Sequence, residues 1–139
     1  MGRVTTEALI ENLEDVWAVR RGRLAPDQVR RTIVPNALVD TGAIALSLPT
    51  EMIHQLGLAA IGPKNTLTAT ETAITTPYEA VRLTIQDRSC TVDVLEVPNQ
   101  VPVLIGQIPL EFMDFVVDPG QRRLIGNPDH GGQQVHELL

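Results

Sequence analysis

The stretch Ala37-Leu38-Val39-Asp40-Thr41-Gly42-Ala43 places a carboxylate, a hydroxyl and a glycine directly after an apolar run. A carboxylate at the end of a hydrophobic strand is partly desolvated, which favours its protonated form and suits a group that must give and take a proton. Gly42 permits a tight turn and leaves its N–H free to donate to that carboxylate. The Thr41 hydroxyl can bond main chain across an interface. Three residues alone are also what an ordinary strand-end turn contains, because Asp and Gly are common there. A second element gives them context. Val101-Pro102-Val103-Leu104-Ile105-Gly106 is another hydrophobic strand ending in glycine, and a short helix is expected after it.

Other side chains with chemical potential have simpler readings. His54, on an exposed helix face without a partner four residues on, reads as solvated rather than as a metal ligand. His130 and His136 fall in a tail that has lost periodicity. Cys90 sits within a strand and reads as a small core residue, with no nearby histidine to activate it. Asp87, Asp93, Asp114 and Asp118 occupy turns or strand ends and read as structural, Asp118 with the option of pairing with an arginine at a dimer edge. Gly131-Gly132 follows no strand–helix signal, so no phosphate loop is expected. No metal site is expected.

The elements that must position Asp40 are strands, for the dominant period is two. Residues 4–21 read as two extended stretches around a turn at Asn12-Leu13-Glu14-Asp15, and Gly22 to Gln28 as a loop. Arg30 to Val34 and Ala37 to Val39 read as separate strands broken by Pro35-Asn36, and Ile44 to Leu48 as another. Thr66 to Thr72 alternates threonine with Leu67, Ala69 and Glu71, a β pattern. Val81, Leu83 and Ile85 share a strand face, and Val92 and Val94 mark the next strand. Val103 to Ile105, Phe115 to Val117 and Arg123 to Ile125 complete the set, with a turn at Asp118-Pro119-Gly120. Two short helices are expected. Thr50 caps Glu51 to Leu56, with Gly57 as the left-handed C-terminal residue, and Gln107 to Met113 forms the other. Many short strands with few helices predict an all-β barrel or sandwich.

Composition narrows the function. The 139 residues are 43% hydrophobic and 20% charged, enough apolar side chain for one cored domain. Aromatics are only 3%, which argues against stacking platforms for single-stranded nucleic acid. A net charge of −6 opposes phosphate-backbone binding, so no nucleic acid partner is expected. The one cysteine rules out an intrachain disulfide. No apolar run approaches the roughly 18 residues of a membrane span, and the N-terminus does not read as a secretory signal. A soluble, cytoplasmic protein with no membrane partner is expected. Charge is uneven: residues 1–31 carry six arginines against five acids, net +1, and the remainder is net −7. Arg20 to Arg23 and Arg30-Arg31 read as solvated, or as a docking patch for an acidic partner.

At Asp40-Thr41-Gly42-Ala43 and Leu104-Ile105-Gly106 the chain resembles the retroviral-type aspartic proteases, specifically their small bacterial relatives. The two motifs occur in the family's order, and the resemblance runs from about Val29 to Ile125. It implies an acid-protease-type closed β-barrel, a single lobe with one or two short helices. Residues 1–28 would be N-terminal strands and an Arg-rich loop packed on it, 29–126 the catalytic domain, and 127–139 a mobile tail. Residues 1–28 could also add strands to a dimer interface or present a substrate segment. An aspartic protease needs two carboxylates so close that both cannot ionise. The chain carries one such motif, so the resemblance implies a homodimer in which two copies of Asp40 meet on a twofold axis. The implied activity is aspartic endopeptidase, a hydrolase acting on a peptide or protein substrate, with no cofactor. Asp40, Thr41 and Gly42 would be catalytic, Thr41 bonding across the axis. Leu104-Ile105-Gly106 would pack behind the loop. Substrate would be held by Ala43, Ile105 and a flap hairpin, Thr66 to Tyr78, with its tip at Thr70-Glu71-Thr72-Ala73.

Three positions depart from the family pattern. Ala43 stands where pepsin-like enzymes carry a hydroxyl that stabilises the ionised carboxylate, so a mildly rather than strongly acidic optimum is expected. The flap stretch has neither glycine nor asparagine at its expected turn. Ile44 replaces a small hydroxyl residue and reads as lining a pocket or, the favoured reading, as core. The alternative function is a catalytically silent dimeric β module that binds extended peptide in the same groove.

Overall fold

The computed structural model describes residues 3–62, 64–67 and 72–135, with main chain alone for 64–67 and 72–75. The first strand, β1 (Thr5–Asn12), alternates as expected and buries Ala8, Ile10 and Asn12. The next segment is not a second extended stretch but a helix, α1 (Leu13–Arg20). Asn12 is the reason. Its side-chain oxygen accepts from the Asp15 N–H at 3.0 Å, capping the helix, and Glu14 and Asp15 place negative charge at its positive end. The residue expected to make a turn starts a helix instead. A carboxylate–guanidinium pair holds the helix down: Asp15 accepts from Arg30 Nε at 2.8 Å and Nη2 at 3.0 Å. Those bonds keep the Asp15 carboxyl below its ordinary range, against the opposing effect of burial.

Strand β2 (Arg31–Val39) runs unbroken through Pro35, contrary to the expected split. Thr6 pairs with Ala37 but Ala8 with Val34, so Pro35 and Asn36 together oppose the single residue Glu7. The bulge takes up the proline, whose missing N–H would otherwise leave a gap in the ladder. Next come β3 (Leu46–Pro49) and α2 (Thr50–Gln55), which buries Ile53. Thr50 does not cap α2; its hydroxyl donates to Glu96 at 2.7 Å. Asn99, from a distant loop, accepts from the Glu51 N–H instead. Gly57, with φ of 68°, ends the turn after the helix as expected.

The hairpin of β4 (Lys64–Leu67) and β5 (Thr72–Thr75) corresponds to the expected flap. Leu67 pairs with Thr72 and Thr66 with Ala73, so Thr72 and Ala73 are strand residues and the connection is 68–71. The continuous strand expected over 66–72 is therefore two strands. Thr70 and Glu71 lie outside the described residues. Strands β6 (Pro77–Ile85) and β7 (Arg88–Val97) follow, then β8 (Leu104–Ile105), α3 (Gln107–Phe112), β9 (Phe115–Asp118) and β10 (Arg123–Gly126).

Six strands close a barrel in the order β1-β2-β8-β3-β7-β6, and β9 and β10 form a separate ribbon. Fold class is as expected: an all-β, acid-protease-type single lobe. Ile10, Leu46, Leu48, Leu83, Ile85 and Ile105 are among the fully buried side chains that fill it. The core is aliphatic, as the scarcity of aromatics implied. The segment expected as a loose tail is fastened as far as Val135. Asp114 accepts from His130 Nδ1 at 2.6 Å, from Asn127 Nδ2 at 3.2 Å and from the Val135 N–H at 3.1 Å. A buried carboxylate must find such donors, which is why this stretch packs despite its lack of periodicity. His136 lies outside the described residues.

Candidate active site

Asp40 sits where β2 ends. The strand delivers it between two neighbours: Val39 N–H donates to the Val4 carbonyl at 2.9 Å, and Asp40 N–H to the Ile105 carbonyl at 2.9 Å. The chain then reverses tightly. Gly42 N–H donates to Asp40 Oδ1 at 3.0 Å and Ala43 N–H to the Asp40 carbonyl at 3.1 Å. The glycine-to-carboxylate bond is the one expected from the motif. Among the described residues no donor reaches Asp40 Oδ2, and the carboxyl is half-buried rather than sealed. Thr41 and Gly42 are exposed at the turn.

The second motif holds this loop from behind. Strand β8 lies between β2 and β3, parallel to the first (Val39 with Ile105) and antiparallel to the second (Leu46 with Ile105). Three successive main-chain donors then grip the segment after Gly42. Gly106 N–H reaches the Ala45 carbonyl at 2.9 Å, Gln107 N–H the Ala43 carbonyl at 2.8 Å, and Ile108 N–H the Ile44 carbonyl at 3.0 Å. The fit at Gly106 admits no side chain, for a Cβ there would lie 2.5 Å from both the Ala45 oxygen and the Ile44 carbonyl carbon. Gly106 is glycine for space, not for its dihedrals.

The structure thus brings together Asp40, Thr41, Gly42 and Ala43 in one turn with Ile105 and Gly106 behind it. Two expectations need correction. Ile105 lines no groove: it is fully buried, and its carbonyl supports Asp40 from the core side. Ile44 is not core. It is 63% exposed, because the chain is still turning at 44 and the inward-facing strand begins only at Leu46. Its neighbour across the main-chain bond, Ile108, is also exposed. Sequence reasoning missed a set of residues around Asp40. An open cleft of about 580 Å³ beside Asp40 and Thr41 is bounded by Arg3, Val4, Val117, Pro119 and Arg122. Arg3 and Val4 come from the chain's start, Val117 from β9, and Pro119 and Arg122 from the β9–β10 connection, so no local pattern could have joined them.

The remaining candidates stay structural. Cys90 is buried, and burial pushes its thiol up to about 11, so it is not a thiolate nucleophile near neutral pH. Asp118 accepts from the Gly120 N–H at 3.0 Å and shapes the turn after β9. Among the described residues no cluster of His, Cys, Asp and Glu could hold a metal ion. No helix among them is long and apolar enough to cross a membrane.

No curated protein matches the chain significantly. Residues 30–109, more than half of the chain, match the family model described as aspartyl protease, a span that opens at β2 and ends within α3 and so contains both motifs. With Asp40-Thr41-Gly42 at the end of one barrel strand and Leu104-Ile105-Gly106 locked behind it, the chain belongs to the retropepsin-like aspartyl protease family.

Proposed function

We propose that the protein is a homodimeric aspartic endopeptidase. The observation that carries this reading is the half-finished state of the Asp40 turn. One carboxylate oxygen is held by Gly42, the other has no donor among the described residues, and Thr41 stands exposed beside it. A second copy related by a twofold axis through this turn would bring a second Asp40 alongside the first and give each Thr41 a partner main chain. Two carboxylates that close share a proton, and their titration belongs to the pair. One Asp40 then takes a proton from a water as it attacks the peptide carbonyl, while the other, protonated, donates to the carbonyl oxygen. Extended substrate would lie as an added strand beneath the β4–β5 hairpin, with apolar side chains beside the scissile bond.

A single comparison tests the proposal: wild type against Asp40→Asn on an unbiased peptide library across pH, with sedimentation of both. The expected result is a dimer that cleaves only as wild type. Cleavage that survives in Asp40→Asn, or a strict monomer that cleaves, overturns the mechanism. Binding without cleavage in both proteins at every pH points to the peptide-binding β module, a reading favoured by connecting residues 68–71 that contain no glycine.

A further inference from the structure

Far from Asp40, the arginine-rich segment divides into two groups. Arg30 is engaged by Asp15 and Arg31 by Glu11 at 3.2 Å. Arg20, Arg21 and Arg23, all exposed, meet no carboxylate among the described residues. They cluster at the end of α1, where Arg21 N–H donates to the Trp17 carbonyl and Arg23 N–H to the Ala18 carbonyl. Trp17, the one tryptophan of the chain, is 45% exposed on the same helix, with the Arg21 guanidinium 5.9 Å from its ring centre. An exposed tryptophan beside unpaired guanidiniums has the composition of a binding hot spot.

We infer that Trp17, Arg20, Arg21 and Arg23 form a docking surface for an acidic, extended peptide segment of another protein. Planar guanidiniums take carboxylates in paired hydrogen bonds, and the exposed Trp17 ring offers an apolar face beside them. Two of the nearby acids are already committed: Asp15 and Glu11 serve Arg30 and Arg31. The surface is also prepared in advance, since the Asn12 cap and the Asp15–Arg30 pair fix α1. Charge decides the kind of partner. Residues beyond 31 are net −7, so a long polyanion would be repelled, whereas a short acidic segment feels mainly charges within a Debye length of roughly 8 Å. Position decides that it is a separate site. Glu11 pairs with Arg31 at one end of the β1–β2 ladder and Thr5 with Leu38 near Asp40 at the other. At about 3.3 Å per residue the two ends of β1 are about 20 Å apart.

Trp17 reports on its own surface. The test titrates the Asp40→Asn protein, which cannot consume the probe under the proposed mechanism, with a synthetic peptide of alternating Glu and Ser. Trp17 emission and calorimetry are the readouts, with a Lys-for-Glu peptide, a single-stranded oligonucleotide and phosphatidylserine vesicles alongside. Saturable binding of the acidic peptide is expected, weakened about tenfold or more by high salt and by Arg20→Gln/Arg21→Gln/Arg23→Gln. Circular dichroism of that variant establishes that it is folded, and a wild-type Asp40 version cleaves uncharged peptides as before. Undiminished binding by the triple variant, tighter binding of the oligonucleotide or vesicles, or no saturable signal by either readout overturns the inference. None of these outcomes depends on peptide hydrolysis, so the docking surface and the proposed activity fail separately.

Discussion

Asp40 and Asp114 both follow apolar segments, and the protein treats them in opposite ways. Asp114, at φ of 60° and buried, has both side-chain oxygens engaged: Asn127 on one, His130 and the Val135 N–H on the other. Its main-chain carbonyl takes Arg88 as well, at 2.9 Å. The His130 bond above all holds its carboxyl below the ordinary range despite desolvation. Asp40 receives one side-chain donor among the described residues, from its own turn, and keeps the rest of its bonding capacity. A buried carboxylate with donors on both oxygens can hold chain segments together but is closed to a substrate. One with a free oxygen, on a loop gripped from behind, contributes little to the fold and is available for chemistry. The number of donors, more than burial or motif, separates the structural aspartate from the one proposed to react.

Substitutions at the two positions should therefore separate activity from stability. Asp40→Asn keeps an oxygen for Gly42, so its melting temperature should match wild type while peptide cleavage falls by about 10³-fold or more. A large drop in Tm would show that Asp40 is structural after all. Gly106→Ala tests the grip behind Asp40. The new Cβ must displace main chain at Ile44 and Ala45, costing about 2 kcal/mol in denaturant titrations and most of the activity together. Asp114→Asn should do the reverse of Asp40→Asn. Its amide would turn a donor towards a donor, lowering Tm by several degrees while the folded protein still cleaves.

The pH dependence sharpens the contrast. Because the folded protein holds the Asp114 carboxyl below its unfolded value, its contribution is present above about pH 4 and lost as pH falls through the depressed folded value. Wild-type Tm should show that acid-side loss, and Asp114→Asn should lack it. The smallest effect is expected at Ile44. An exposed side chain beside the site can be changed to serine with stability altered by no more than about 0.5 kcal/mol, and a larger loss by equilibrium unfolding would return it to the core.

Much of the barrel was legible residue by residue. Val81, Leu83 and Ile85 alternate inward, as do Cys90, Val92 and Val94, because a half-buried strand must alternate. The errors fell where a local signal had two meanings. Asn12 suits a turn and equally caps a helix; the choice followed from the Asp15 N–H and the pull of Arg30. Pro35 should break a strand, but a bulge opposite Glu7 absorbed it. Thr50 looked like a cap until Glu96 claimed its hydroxyl.

The sequence by itself determined the family motif, the strand-rich architecture and the order in which Asp40 and Gly106 arrive, because each depends on neighbours within a few residues. Only the tertiary structure decided that Ile105 is support rather than lining, that Ile44 faces out, that the segment after Asn127 is fastened to Asp114, and that Arg20, Arg21 and Arg23 meet no carboxylate among the described residues. Each of those rests on partners tens of residues away. Burial and hydrogen bonding are properties of what a side chain meets, and chain order alone does not say what it meets.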